Sequence, residues 1–163
     1  MNWPYIHLLT NHLPIILGAT GALAAILALI WNRRPIWLYA AASLTLAGAT
    51  IGPVFLVGDE AEEVVEDSPG IDKRALDQHE ESAEVVLWVV LAMGIVSAVA
   101  WWRAAREPQP LSAKVRTAIV VAGVVTAGAV TYAAYTGGHV IHGVQSITGS
   151  GRDIGAPQAP TPP

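Results

Sequence analysis

Apolar positions in this chain come in long unbroken blocks, and the polar residues are pushed to the block ends. Four runs carry no charge at all: 13–32, 35–58, 85–102 and 117–138. Each is close to the ~20 residues that a helix needs to cross the hydrocarbon core of a bilayer. Nothing alternates with period two, and the runs are too long for strands, so a barrel does not fit. The pattern predicts an all-α integral membrane four-helix bundle over 1–145, with helices at about 5–32, 35–58, 72–102 and 115–137. A Gly-, Ser- and Pro-rich segment at 146–163 reads as a flexible tail with no part in the fold.

Local signals refine these helices. Pro14 cannot donate to the carbonyl of Thr10, so the first helix should kink there. His7 and Asn11 are four apart and share a face, whereas His12 points about 100° away. Gly18, Gly21, Ala22 and Ala25 form a small-residue stripe suited to close helix packing, and Ala118, Ala122, Gly123, Ala127 and Gly128 do the same for the fourth helix. After Gly58 the acidic stretch 59–66 reads as a short surface helix, and Ser68-Pro69-Gly70 as a turn. A helical pattern then runs from Ile71 or Asp72 into the third span, so His79 should stand one to two turns above the hydrocarbon. Gly137-Gly138 should end the fourth helix or let a neighbour approach closely.

Charge sets the expected orientation. Only 13% of residues are charged, about half the usual ~25% of a soluble domain, which supports the membrane reading. Arg33 and Arg34 lie between the first two runs, and Arg103, Arg106, Lys114 and Arg116 between the last two. The middle connection has Lys73 and Arg74 against eleven acids from Asp59 to Glu84. The positive-inside rule then puts both termini and the acidic loop on the extracytoplasmic side, in the periplasm or its equivalent. Trp31, Trp37, Trp101 and Trp102 fit an inner aromatic belt, and Trp3 and Tyr5 an outer one. The start of the chain lacks the positive region of a cleavable signal peptide. No basic footprint for nucleic acid is present. With no cysteine, iron–sulfur clusters and covalent c-type haem are excluded.

This topology brings every histidine to one end: His7 and His12 on the first helix, His79 above the third, His139 and His142 after the fourth. The second helix adds Glu60, Glu62 and Glu63. Imidazoles and carboxylates at one bundle mouth can hold a metal or haem.

The same residues carry a resemblance. The chain resembles a family of uncharacterised bacterial four-helix membrane proteins with four short motifs. His7, Asn11, His12 and Pro14 match His-x-x-x-Asn-His-x-Pro, and Gly58, Ala61, Glu62 and Glu63 match Gly-x-x-Ala-Glu-Glu, with Pro69-Gly70 as the following turn. His79-Glu80 match the opening of the third helix, and Gly137, Gly138 and His142 match Gly-Gly-x-x-x-His. His139 stands where the pattern has an acid, which favours His142 over His139. The resemblance implies a membrane protein with an outer polar site and supplies no activity.

Three functions follow as expectations. The first is b-type haem or a redox metal in an electron-transfer complex, with His12 paired to His79 or His142 and His7 in reserve. All its ligands would sit at one depth, so electrons would pass only to a quinol or a periplasmic carrier. The second is a zinc-, iron- or copper-type site of three histidines and a carboxylate, drawing on Glu62 and His139. The third is a non-catalytic accessory subunit whose histidines and acids contact other membrane subunits. No hydrolase motif such as His-Glu-x-x-His is present, so whether the protein is an enzyme stays open.

Overall fold

The computed structural model describes residues 2–66, 72–108 and 110–147, with side chains as far as His139. The Ser68-Pro69-Gly70 turn, the His142 side chain and the tail from 148 onward lie outside the described residues. Five helical segments make four spans: α1 (Trp3–Thr10) with α2 (His12–Trp31), then α3 (Arg34–Val65), α4 (Lys73–Arg106) and α5 (Ala113–Ile147). All four spans are long and apolar enough to cross a membrane. The molecule is a multi-pass four-helix bundle, with no strand among the described residues.

Local chemistry explains where the segments begin and end. Asn2 accepts a hydrogen bond from the Tyr5 N–H at 3.3 Å, and Pro4 occupies the first turn of α1, where a missing N–H costs nothing. The break at Asn11 sits where Pro14 leaves the Thr10 carbonyl without a donor, as the sequence anticipates. Asn32 closes α2 in the left-handed region at φ 44°, and its side chain accepts from Trp37 Nε1 at 3.2 Å. Asp72 caps α4 by accepting from the Arg74 N–H at 3.0 Å.

Two boundaries differ from the sequence reading. The acidic stretch is no separate helix, because α3 runs unbroken through Pro53 and Gly58 to Val65. Likewise α5 continues through Gly137-Gly138 to Ile147. Both glycines sit inside continuous helix, and Gly137 serves a close contact described below. At 32, 34 and 35 residues, α3, α4 and α5 outrun the ~20 needed for the hydrocarbon. Their extra turns carry the polar residues.

The helices form a ring in which each packs on its sequence neighbours, α5 closes onto α2, and α1 leans on α3. Small residues set the spacing. A Cβ added at Gly48 would stand 2.6 Å from the Cα of Gly94, so α3 and α4 touch backbone to backbone. Gly123 meets Ala22 on the α2–α5 seam in the same way, at 3.1 Å from its Cα. Ser43 ties α3 to α2 by donating to the Leu17 carbonyl at 3.0 Å.

One core cluster gathers Ala28, Trp37, Leu44, Ala104, Leu111 and Ile119 at the arginine-bearing end. A second gathers Ala47, Ile51, Val86, Val90 and Val130 toward the histidine-bearing end. Trp37 corrects the belt assignment. It is fully buried at 0% exposure, because its indole N–H finds Asn32 within the bundle. Trp31, Trp101 and Trp102 are exposed.

Candidate functional site

His7 stands one turn into α1, where the cap at Asn2 and the lean of α1 on α3 fix its direction. Its imidazole lies against Gly58 of α3. A Cβ at Gly58 would be 2.9 Å from His7 Cε1 and 3.1 Å from Nδ1, so only glycine leaves room for the ring. The backbone carbonyl of Val54 lies near the ring. Nδ1 is buried and has no hydrogen-bond partner. One turn on, Asn11 Oδ1 is also buried and without a partner. Two buried polar atoms on one face of α1 therefore lack a partner.

His79 repeats the arrangement on the other helix pair. Its ring lies against Gly137 of α5, where a Cβ would be 3.0 Å from Cε1. Nδ1 lies 3.0 Å from Thr136 Oγ1, and Thr136 Oγ1 lies 2.7 Å from Ser82 Oγ. Ser82 donates to the His79 carbonyl at 2.8 Å, and Thr136 to the Ala133 carbonyl at 3.1 Å. The Ser82–Thr136 bond takes one hydroxyl proton, so Thr136 can either donate to the ring or accept from it. When Nδ1 is the donor, Nε2 is the bare nitrogen. His79 is within Coulombic reach of His7, at the same end of the bundle.

Carboxylates crowd the rim above. Glu62 stands one turn past Gly58, within Coulombic reach of Asp59, Glu66, Asp77 and Glu80. The only ion pair among the described residues is Lys73 to Glu66 at 3.5 Å, on the exposed surface.

The other expected ligands do not join this pair. His12 is exposed, and its Nδ1 donates to the Leu8 carbonyl of its own helix at 2.9 Å. His139 is half-buried and packs on Tyr135, with ring centroids 4.4 Å apart. His142 lies within α5, but its side chain is outside the described residues. Among the described residues no three His, Asp or Glu side chains converge closely enough to hold a metal ion. The sequence reading missed Ser82, Thr136 and the Val54 carbonyl. His79-x-x-Ser82 on one helix face was the available signal for the first of these.

No family model, no curated protein and no solved structure matches this chain.

Proposed function

We propose that this is a multi-pass protein of the bacterial inner membrane whose histidine end binds a transition-metal ion on the extracytoplasmic side, through His7 and His79. The observation that carries the reading is the pair of buried, partnerless polar atoms His7 Nδ1 and Asn11 Oδ1 on one helix face. Buried polar atoms without a partner are rare and costly, and a cation would satisfy the oxygen and, in the tautomer protonated at Nε2, the ring nitrogen. His79 would add a second imidazole through Nε2, with Nδ1 donating to Thr136, in the neutral state in which histidine binds metal. Thr136 then plays the outer-shell part of fixing its tautomer. A donor set of imidazole and oxygen suits zinc, iron or copper(II). Copper(I) is disfavoured, since Met1 and Met93 are the only thioethers.

The arrangement favours an ion over a macrocycle. His12 is turned out of the bundle, and each inner ring fills the space over a glycine, Gly58 for His7 and Gly137 for His79. The placement of the basic connections supports the orientation. The accessory-subunit reading is the second one, favoured by the way the His79–Thr136–Ser82 network closes within the bundle.

Metal analysis of protein purified in mild detergent separates these readings, together with a reduced-minus-oxidised spectrum. The expected result is a bound transition metal that is lost in His7→Gln and His79→Gln, with no Soret change. A sharp Soret and α-band would replace the ion with b-type haem. Metal-free, colourless, folded protein would leave the structural subunit.

A further inference from the structure

The arginine-bearing end holds a feature that the histidine site does not use. A cavity of about 310 Å³ lies between the last turns of α2 and the first turns of α5, lined by Leu29, Ala113, Arg116, Thr117 and Val120. Arg116 is its one charged wall. The Nε of Arg116 is buried and has no hydrogen-bond partner. A guanidinium is permanently charged and offers only donors, so a buried unpaired N–H calls for an acceptor.

Among the described residues none meets it. The only acid between the third and fourth uncharged runs is Glu107, and it is spent on the N–H and hydroxyl of Ser112. Two other cations at this end are already engaged. Arg34 donates to the Ala105 carbonyl, and Arg106 stacks 4.3 Å over the Trp102 ring. The first turn of α5, which contributes Ala113 and Arg116 to the lining, contains no acid. Its unsatisfied N–H groups and positive dipole end add to the field.

What surrounds the cavity is apolar. Leu29 is 54% exposed, and Ile30 and Val121 beside the lining residues are exposed as well. A soluble anion would gain nothing from these side chains. An anion that carries its own hydrocarbon would.

We propose that this cavity seats the phosphate of an anionic phospholipid, with Arg116 as the phosphate ligand and Leu29 and Val120 against the start of an acyl chain. The match is one of charge and of hydrophobicity together, as expected of a basic pocket between membrane helices. Arg suits the role because its planar fork can bind two phosphate oxygens.

Thermal unfolding of the full chain in mild detergent tests this, with phosphatidylglycerol or phosphatidylcholine added to the micelles. Phosphatidylglycerol should raise the midpoint by several degrees and phosphatidylcholine should not. Arg116→Gln and Ala113→Trp should each abolish the difference, the second by blocking the cavity while keeping every charge. If Arg116→Gln loses its helical circular dichroism, Ala113→Trp alone decides. Equal response to both lipids, or a difference that survives Ala113→Trp, would overturn the proposal. So would the same shift from inorganic phosphate alone, which would make the ligand a free anion.

Discussion

His7 and Gly58 are in direct contact across the α1–α3 seam, with the imidazole occupying the space that a Cβ would need. The contact fixes the rotation of α1 about its own axis. It decides which of the two histidines on this helix faces inward. It also gives a sharp test of the seam. Gly58→Ala should destabilise the protein by about 1–3 kcal/mol, the usual cost of overpacking a filled site. The His7 ring must shift, so its NMR resonances should move. Gly128→Ala is the control, because nothing lies within 4 Å of a Cβ there. It should be neutral or stabilise by up to ~1 kcal/mol through helix propensity. Equal midpoints for Gly58→Ala and wild type would show that the ring is not held there.

This seam also marks where sequence reading stops. The four spans were legible because an uncharged run of twenty residues has few alternatives to a membrane helix. The break before Pro14 was legible because a missing N–H is a local fact. The grouping of His7 with Asn11 followed from helical spacing alone. What spacing could not supply was the absolute facing of that pair. The sequence favoured His12 as a ligand, yet Gly58 receives His7 and leaves His12 outside. Gly137-Gly138 left two readings open for a related reason, and the close approach is the one that Gly137 makes. A glycine that makes room for a ring from another helix is locally identical to one that ends a helix, and only the position of His79 tells them apart. Trp37 looked like a belt residue until its partner Asn32 was in view.

The metal reading needs Nδ1 of His79 to donate to Thr136, which makes a second prediction. In the wild type, ¹⁵N NMR of His79 should show the proton on Nδ1 and a bare Nε2. Thr136→Val keeps the shape but removes the hydroxyl, which leaves His79 Nδ1 and Ser82 Oγ without their shared partner. The expected loss is about 1–3 kcal/mol, the penalty of a buried polar group left unpaired. The ring should then show a mixture of tautomers. Thr136→Ser should keep both the stability and the tautomer. A proton on Nε2 in the wild type would remove the bare nitrogen on which the metal reading relies.

Glu107 makes the third prediction, at the opposite end of the bundle. Its carboxylate accepts from the N–H of Ser112 at 3.0 Å and from the Ser112 hydroxyl at 3.3 Å, which closes the loop between α4 and α5. These two bonds, backbone first, and then the Arg103 charge hold its pKa below the ordinary carboxylate value. A carboxylate depressed in the folded state binds fewer protons than in the unfolded chain. Its contribution to stability is therefore present above the ordinary carboxylate pKa and lost as the pH falls through the folded value. Glu107→Gln should lower the thermal midpoint slightly at pH 7 and leave it unchanged once the pH is below both values. The group is exposed to solvent, so the gap should be small. Ser112→Ala, which removes the hydroxyl but keeps the backbone donor, should reproduce part of that pH dependence. A gap between Glu107→Gln and wild type that persists unchanged at low pH would mean that the loop is held by something other than this carboxylate.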